Sequence, residues 1–167
     1  MPAITHPDEL ARLLRSIEGY TGVFITKSAL RLAPMLAVRS GELRSAEWEE
    51  INPDEAMWRI PANKTRTGEC LIVLLASQAV AILNGVKLFT GDDRDVFQGR
   101  GENSFMSENT LLKALRTMGW SADKVTIHGF RATARTLLHE RLGFSPDAIE
   151  AQLGHRVLDW VKVMLDG

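Results

Sequence analysis

Apolar positions recur at helical spacing through most of the chain and alternate in one region only. Leu10, Leu13, Leu14 and Ile17 share one side of a helix predicted over Asp8 to Ile17. Val23 to Leu36 is apolar almost all round, which predicts a buried helix whose end Pro34 disturbs. Helix-like composition resumes at Gly41-Glu42-Leu43-Arg44 and runs to Trp48. The pattern then changes. Asn52-Pro53-Asp54-Glu55 is a turn, and Met57–Ile60 and Leu71–Leu75 read as strands joined by the polar hairpin "PANKTRTGE". Ser77 to Leu88 is helical again. The following long loop, "TGDDRDVFQGRGENS", carries a short strand at Val96-Phe97. Ser107 caps a helix running to about Met118, and His128 to Leu142 forms the next. Ser145-Pro146-Asp147 is a helix start with proline at its first position, ending near Leu153-Gly154. A last helix spans Val157 to Leu165. The expected fold is mainly α with a small antiparallel three-stranded β-sheet.

Composition fits a single domain over residues 1–167: 45% apolar, 25% charged, with no internal repeat. No apolar run is long enough to span a bilayer, and the opening residues lack the hydrophobic region of a signal peptide. One cysteine, Cys70, excludes an internal disulfide and suits a reducing cytoplasm. One cysteine and four scattered histidines make a metal site improbable by count, so no metal or other cofactor is expected. Net charge is −1, but its distribution is uneven. Residues 105–141 hold six Lys/Arg against three Asp/Glu, the one basic segment of the chain. An anion surface belongs there.

Within that segment, His128 and Arg131 are three apart at a predicted helix start, separated by Gly129. That is neighbour spacing on a helix, where backbone N–H groups also attract anions. Arg131, Arg135 and His139 continue as a cationic stripe; Arg135 and His139 read most simply as a solvated face, and as DNA contacts if the stripe meets a duplex. Arg39, with Glu42 three residues on, is either a plain helix-start ion pair or a second phosphate clamp, since a guanidinium fork matches two phosphate oxygens. Lys64 and Arg66 lie near the hairpin tip, where cations commonly serve solubility. His155 follows the helix-closing Gly154.

Taken in order, Arg39-x-Gly41-Glu42-Leu43, a basic hairpin, His128-x-x-Arg131 and Leu153-Gly154-His155 resemble the catalytic domain of the tyrosine recombinases, the phage integrase family. "RLAPMLAVRSGELRSAEWEEI", "WRIPANKTRTG", "MSENTL", "HGFRATARTLL" and "SPDAIEAQLGHRV" all read like temperate-phage and prophage integrases. The resemblance implies that family's DNA breaking-rejoining fold and double-stranded DNA as partner, with assembly into a homo-oligomer on it. It implies strand cleavage through a 3′-phosphotyrosyl link that conserves bond energy and so needs no ATP or metal. Arg39 and Arg131 would clamp the non-bridging oxygens, His128 would exchange a proton with the nucleophile, and His155 would hydrogen-bond the scissile phosphate. A hairpin lysine would protonate the leaving 5′-oxygen.

The chain departs from the pattern in two places. Arg66 stands where the family has its lysine, and arginine is a poor general acid. Either Lys64, two residues earlier, takes over or leaving-group protonation is crippled. Counting on from His155 places the nucleophilic tyrosine at Met164 or Leu165, neither of which can attack, while the one tyrosine is Tyr20. The resemblance therefore predicts a catalytic domain without its nucleophile segment and without the DNA-binding domains that precede it in integrases, unable to cleave by itself. The competing reading is a non-catalytic DNA-binding or interaction remnant of a prophage element. A third is a helical regulator whose Arg/His cluster is structural.

Overall fold

The computed structural model describes residues 2–101 and 104–140, together with positions 143, 145 and 147. Among the described residues, six helices surround one core: α1 (Pro7–Glu18), α2 (Phe24–Leu36), α3 (Ser40–Arg44), α4 (Ser77–Thr90), α5 (Glu108–Thr117) and α6 (Gly129–Glu140). A three-stranded antiparallel sheet in the order β1 (Ile51–Asn52), β2 (Met57–Ile60), β3 (Leu71–Leu74) covers one side.

Helix α2 is the axis of the molecule. It packs against α1, α3, α4, α5 and α6, which is why it is apolar on nearly every side. Ala29, Leu30, Leu32, Ala33 and Leu36 are all buried. Pro34 removes one backbone donor, yet the helix continues to Leu36 and ends when Ala37 turns left-handed at φ 52°. A non-glycine residue there costs about 1 kcal/mol or more. The turn aims the Ala37 carbonyl away from the helix, and that carbonyl reappears in the site below.

In the sheet, Trp58 pairs with Val73 and Ile60 with Leu71, and all four are buried on the core face. The third strand is not at Val96-Phe97. It is Ile51–Asn52, which leads into the expected turn and shares its first residue, and it pairs with Met57 and Trp58. Val96 and Phe97 are fully buried but bond singly: Val96 N–H donates to Ala46 O, and isolated bridges join Glu47 to Asp95 and Gln98 to Phe105. Their apolar character serves the core rather than a ladder. The helical stretch expected from Gly41 to Trp48 breaks at Ser45, and Trp48–Glu50 forms a separate 3-10 turn. The other elements match expectation to within two residues, with Ser107 Oγ accepting from Thr110 N–H at the start of α5. The helices expected beyond Ser145 lie outside the described residues.

Candidate functional site

The first wall of the site is the start of α3. The chain leaves the left-handed Ala37, passes through buried Val38 and reaches Arg39 in an extended conformation. Glu42, in the first turn of α3, reaches back so that its Oε2 accepts from Arg39 N–H at 2.9 Å. This is the carboxylate half of a capping box. The other oxygen, Oε1, lies 3.5 Å from Arg39 Nη1 and is buried without a hydrogen bond. The Glu42 side chain is only 2% exposed. A buried carboxylate persists only beside positive charge, and two guanidinium groups supply it here.

The second guanidinium belongs to α6. Thr126 Oγ1 accepts from Gly129 N–H at 3.0 Å and so caps the helix. The position tolerates only glycine, because a Cβ there would stand 2.0 Å from the Pro2 carbonyl oxygen. Arg131, in the first turn, is buried at 6% exposure, and its Nη1 donates to Ala37 O at 2.9 Å. Burial, then the nearby charge of Arg39, pull its pKa down to about 10, against an opposing pull from Glu42. Arg131 is therefore buried, unlike the exposed Arg135 and His139 further along α6. Arg39, Glu42 and Arg131 form one electrostatic group.

His128 is half-buried beside them. Its pKa is lowered first by burial, then by Arg131 and Arg39, and also by Arg66 of the hairpin. The imidazole is thus neutral at neutral pH while three cations act on it. Glu108, at the start of α5, acts in the opposite direction. Glu108 was not singled out from the sequence. Its only signal there was its place after the Ser107 cap, which marks a helix start and says nothing about where that start points.

The two hairpin cations have different surroundings. Arg66 is exposed, has no hydrogen bond or ion pair among the described residues, and lends its charge to His128. Lys64 is not a free surface cation. Its Nζ donates to Ser45 O at 2.7 Å, contacts Glu50 Oε1 and lies 3.3 Å from Glu47 Oε1. Glu50 is itself buried, and its Oε2 accepts from Trp58 Nε1 at 3.0 Å.

Arg135 and His139 are exposed on the outer part of α6, and the charge of Arg135 reaches Arg131. His155, Met164 and Leu165 lie outside the described residues. Tyr20 lies in the link between α1 and α2, partly buried against the core, and is not among the groups that shift His128 or Arg131. Among the described residues no three His, Cys, Asp or Glu side chains gather as a metal site, and no helix is long and apolar enough to cross a membrane.

What the structure brings together is a group in which Arg39 and Arg131 share the buried carboxylate of Glu42 and, with Arg66, bear electrostatically on His128. The cations outnumber their counter-charge. Such a group takes a doubly coordinated oxyanion readily.

The sequence pattern described as the phage integrase family matches residues 4–163. The integrase of Enterobacteria phage P4 is 39% identical over 169 aligned positions, covering 93% of this chain and 38% of that protein. This chain thus spans about two fifths of the length of that relative. Among solved structures, the XerH site-specific recombinase bound to its difH substrate superimposes with a TM-score of 0.71 at 15% identity, over 98% of this chain and 50% of that one. A lambda integrase tetramer bound to a Holliday junction gives a TM-score of 0.66 at 20% identity, over 92% of this chain and 46% of that one. The fold is that of tyrosine-recombinase catalytic domains.

Proposed function

Because the chain belongs to the phage integrase family, we propose that residues 1–167 form the phosphate-binding catalytic domain of a site-specific DNA recombinase. The observation that carries this reading is that Arg131, bonded to Ala37 O, and Arg39, held by Glu42, come together beside His128 from separate parts of the chain.

Arg39 and Arg131 bind the two non-bridging oxygens of one DNA phosphodiester. As a nucleophile adds, negative charge on those oxygens grows, so the clamp holds the transition state more tightly than the ground state. Neutral His128 accepts the proton of the attacking tyrosine hydroxyl. The tyrosine O–P bond forms while the bond from phosphorus to the 5′-oxygen breaks, and the departing oxygen takes up a proton. The 3′-phosphotyrosyl link keeps the bond energy, and a second 5′-hydroxyl reverses the step. His155 adds a hydrogen bond to the same phosphate. Arg66 stabilises the leaving oxygen as a fixed charge but does not give up a proton near neutral pH. Arg135 and His139, outward on α6, contact flanking DNA backbone.

The one tyrosine, Tyr20, packs in the α1–α2 link, and the expected nucleophile positions are Met164 and Leu165. The chain binds the phosphate and does not cleave it unless a tyrosine is supplied. That feature also favours a second reading, a non-catalytic DNA-binding remnant on the same fold. Double-stranded DNA is the partner in both readings. We also propose that the chain assembles as a homo-oligomer on DNA, as the lambda integrase tetramer does on a Holliday junction, and acts in the cytoplasm.

The test is duplex binding by fluorescence anisotropy at increasing salt. Affinity should fall steeply with salt, and Arg39→Ala with Arg131→Ala should weaken binding and flatten that dependence. Unchanged binding in the double variant would contradict the reading. The two readings separate on a nicked suicide duplex: the chain itself leaves no covalent adduct on a denaturing gel. Met164→Tyr or Leu165→Tyr, combined with Arg66→Lys, produces one only if the catalytic apparatus is otherwise intact.

A further inference from the structure

Lys64 and Arg66 stand two residues apart on the same hairpin, yet the structure gives them opposite surroundings. Lys64 is spent on three acceptors, and none of them belongs to the phosphate pocket. Ser45 O is the part-buried carbonyl just past the end of α3, where the helix leaves its carbonyls without partners and favours a cation. Glu47 and Glu50 flank the 3-10 turn that leads into β1. Arg66 has none of these attachments.

The rest of the hairpin loop holds on to itself. Thr65 Oγ1 donates to Glu69 O at 2.7 Å, Gly68 N–H donates to Thr65 O, and Gly68 takes a positive φ of 74° to close the turn. Residues 66 to 70 are all exposed. Among the described residues, the Lys64 ammonium makes the one hydrogen-bonded tie between residues 62–69 and the body of the domain. The body it holds is the segment that begins with Arg39 and Glu42.

We propose that Lys64 is a positioning residue: by pinning the β2–β3 loop to the end of α3 and to Glu47 and Glu50, it sets where Arg66 stands relative to His128. Lys64 is then not the proton donor to a leaving oxygen. The cation that meets the phosphate from the hairpin is Arg66, and the fixed reference for its placement is the same short helix that carries Arg39. The role assigned to Arg66 rests on the phosphate reading above. The placement of the loop does not, and it can be measured without DNA.

The experiment is an NMR titration of the His128 imidazole in the unliganded chain, with thermal unfolding of each variant in parallel. Four other charges act on that ring: Arg39, Arg131, Arg66 and Glu108. Arg66→Met removes one cation and shifts the His128 titration upward. Lys64→Met releases the loop and shifts it upward as well. In the Lys64→Met/Arg66→Met double variant the shift is no larger than in Arg66→Met alone, and Lys64→Arg restores the native titration. Because Lys64→Met strands the buried Glu50 carboxylate, the pair Lys64→Met/Glu50→Gln is the companion variant that removes both charges; it should behave as Lys64→Met does. A His128 titration unmoved by Lys64→Met in a folded protein would overturn the proposal. So would additive shifts in the double variant, which would mean that Lys64 acts on the pocket directly.

Discussion

Arg131 Nη1 donates to the carbonyl of Ala37 at 2.9 Å, joining residues that are 94 positions apart in the chain. The bond ties the start of α6 to the left-handed end of α2 and places the guanidinium beside Arg39 and Glu42. It also holds a charge where charge is disfavoured, since the pKa falls to about 10. The folded value lies below the unfolded one, so the cost is present at every pH below about 10 and disappears only above the unfolded value.

Two opposing magnitudes set the outcome of Arg131→Met. The depressed pKa corresponds to about 3 kcal/mol against the charged form. The lost hydrogen bond from a charged donor is worth roughly 1.5–3 kcal/mol. They nearly cancel, so thermal or urea unfolding of Arg131→Met should lie within about 1 kcal/mol of the parent, while sulfate affinity measured by calorimetry falls by about tenfold or more. A large loss of stability with unchanged sulfate affinity would make the residue structural.

Glu42→Gln keeps an acceptor for Arg39 N–H and deletes the counter-charge of both guanidinium groups. Stability should drop by about 3 kcal/mol, the scale of breaking a buried ion pair. Sulfate should raise the melting temperature of this variant more than that of the parent, because the anion replaces what the substitution removed.

His128 provides the pH dependence. Its folded pKa lies below 6.5, so the unfolded chain takes up the proton first. Stability contributed by the neutral ring is complete above 6.5 and declines as pH falls from there through the folded value. Protonation adds a cation to the pocket, so sulfate affinity rises over the same interval. Sulfate does not titrate in that range, and His128→Gln should flatten both profiles.

Gly129→Ala tests the closeness of the N-terminal residues to α6. A Cβ at 2.0 Å from Pro2 O forces one of them to move. Unfolding should occur at lower denaturant, and the His128 side-chain resonances should shift, since the moved turn carries that ring. A variant indistinguishable from the parent would show that Pro2 does not sit there.

The helices were legible because their apolar faces repeat at helical spacing, and Arg39, His128 and Arg131 were legible because their spacing matched a family's order. The sequence hid what depends on tertiary placement. Val96 and Phe97 look like strand residues because buried loops and buried strands use the same side chains; the actual third strand, Ile51–Asn52, is two residues long and carries no period. Lys64 read as a surface cation because its acceptors, Ser45, Glu47 and Glu50, stand 14 or more residues away. Arg131 stands apart from Arg135 and His139 in the sequence by its place at the helix start beside His128; helical spacing alone does not show that a neighbouring helix end covers that first turn.

The most direct test of a single phosphate pocket is a sulfate titration followed by NMR at the side chains of Arg39, Arg66, His128 and Arg131 in one sample. One bound anion shared by all four predicts that their resonances move together along a single saturable curve, with the His128 titration displaced upward at saturation. Four unrelated curves, or shifts that grow linearly with salt and never saturate, would contradict it.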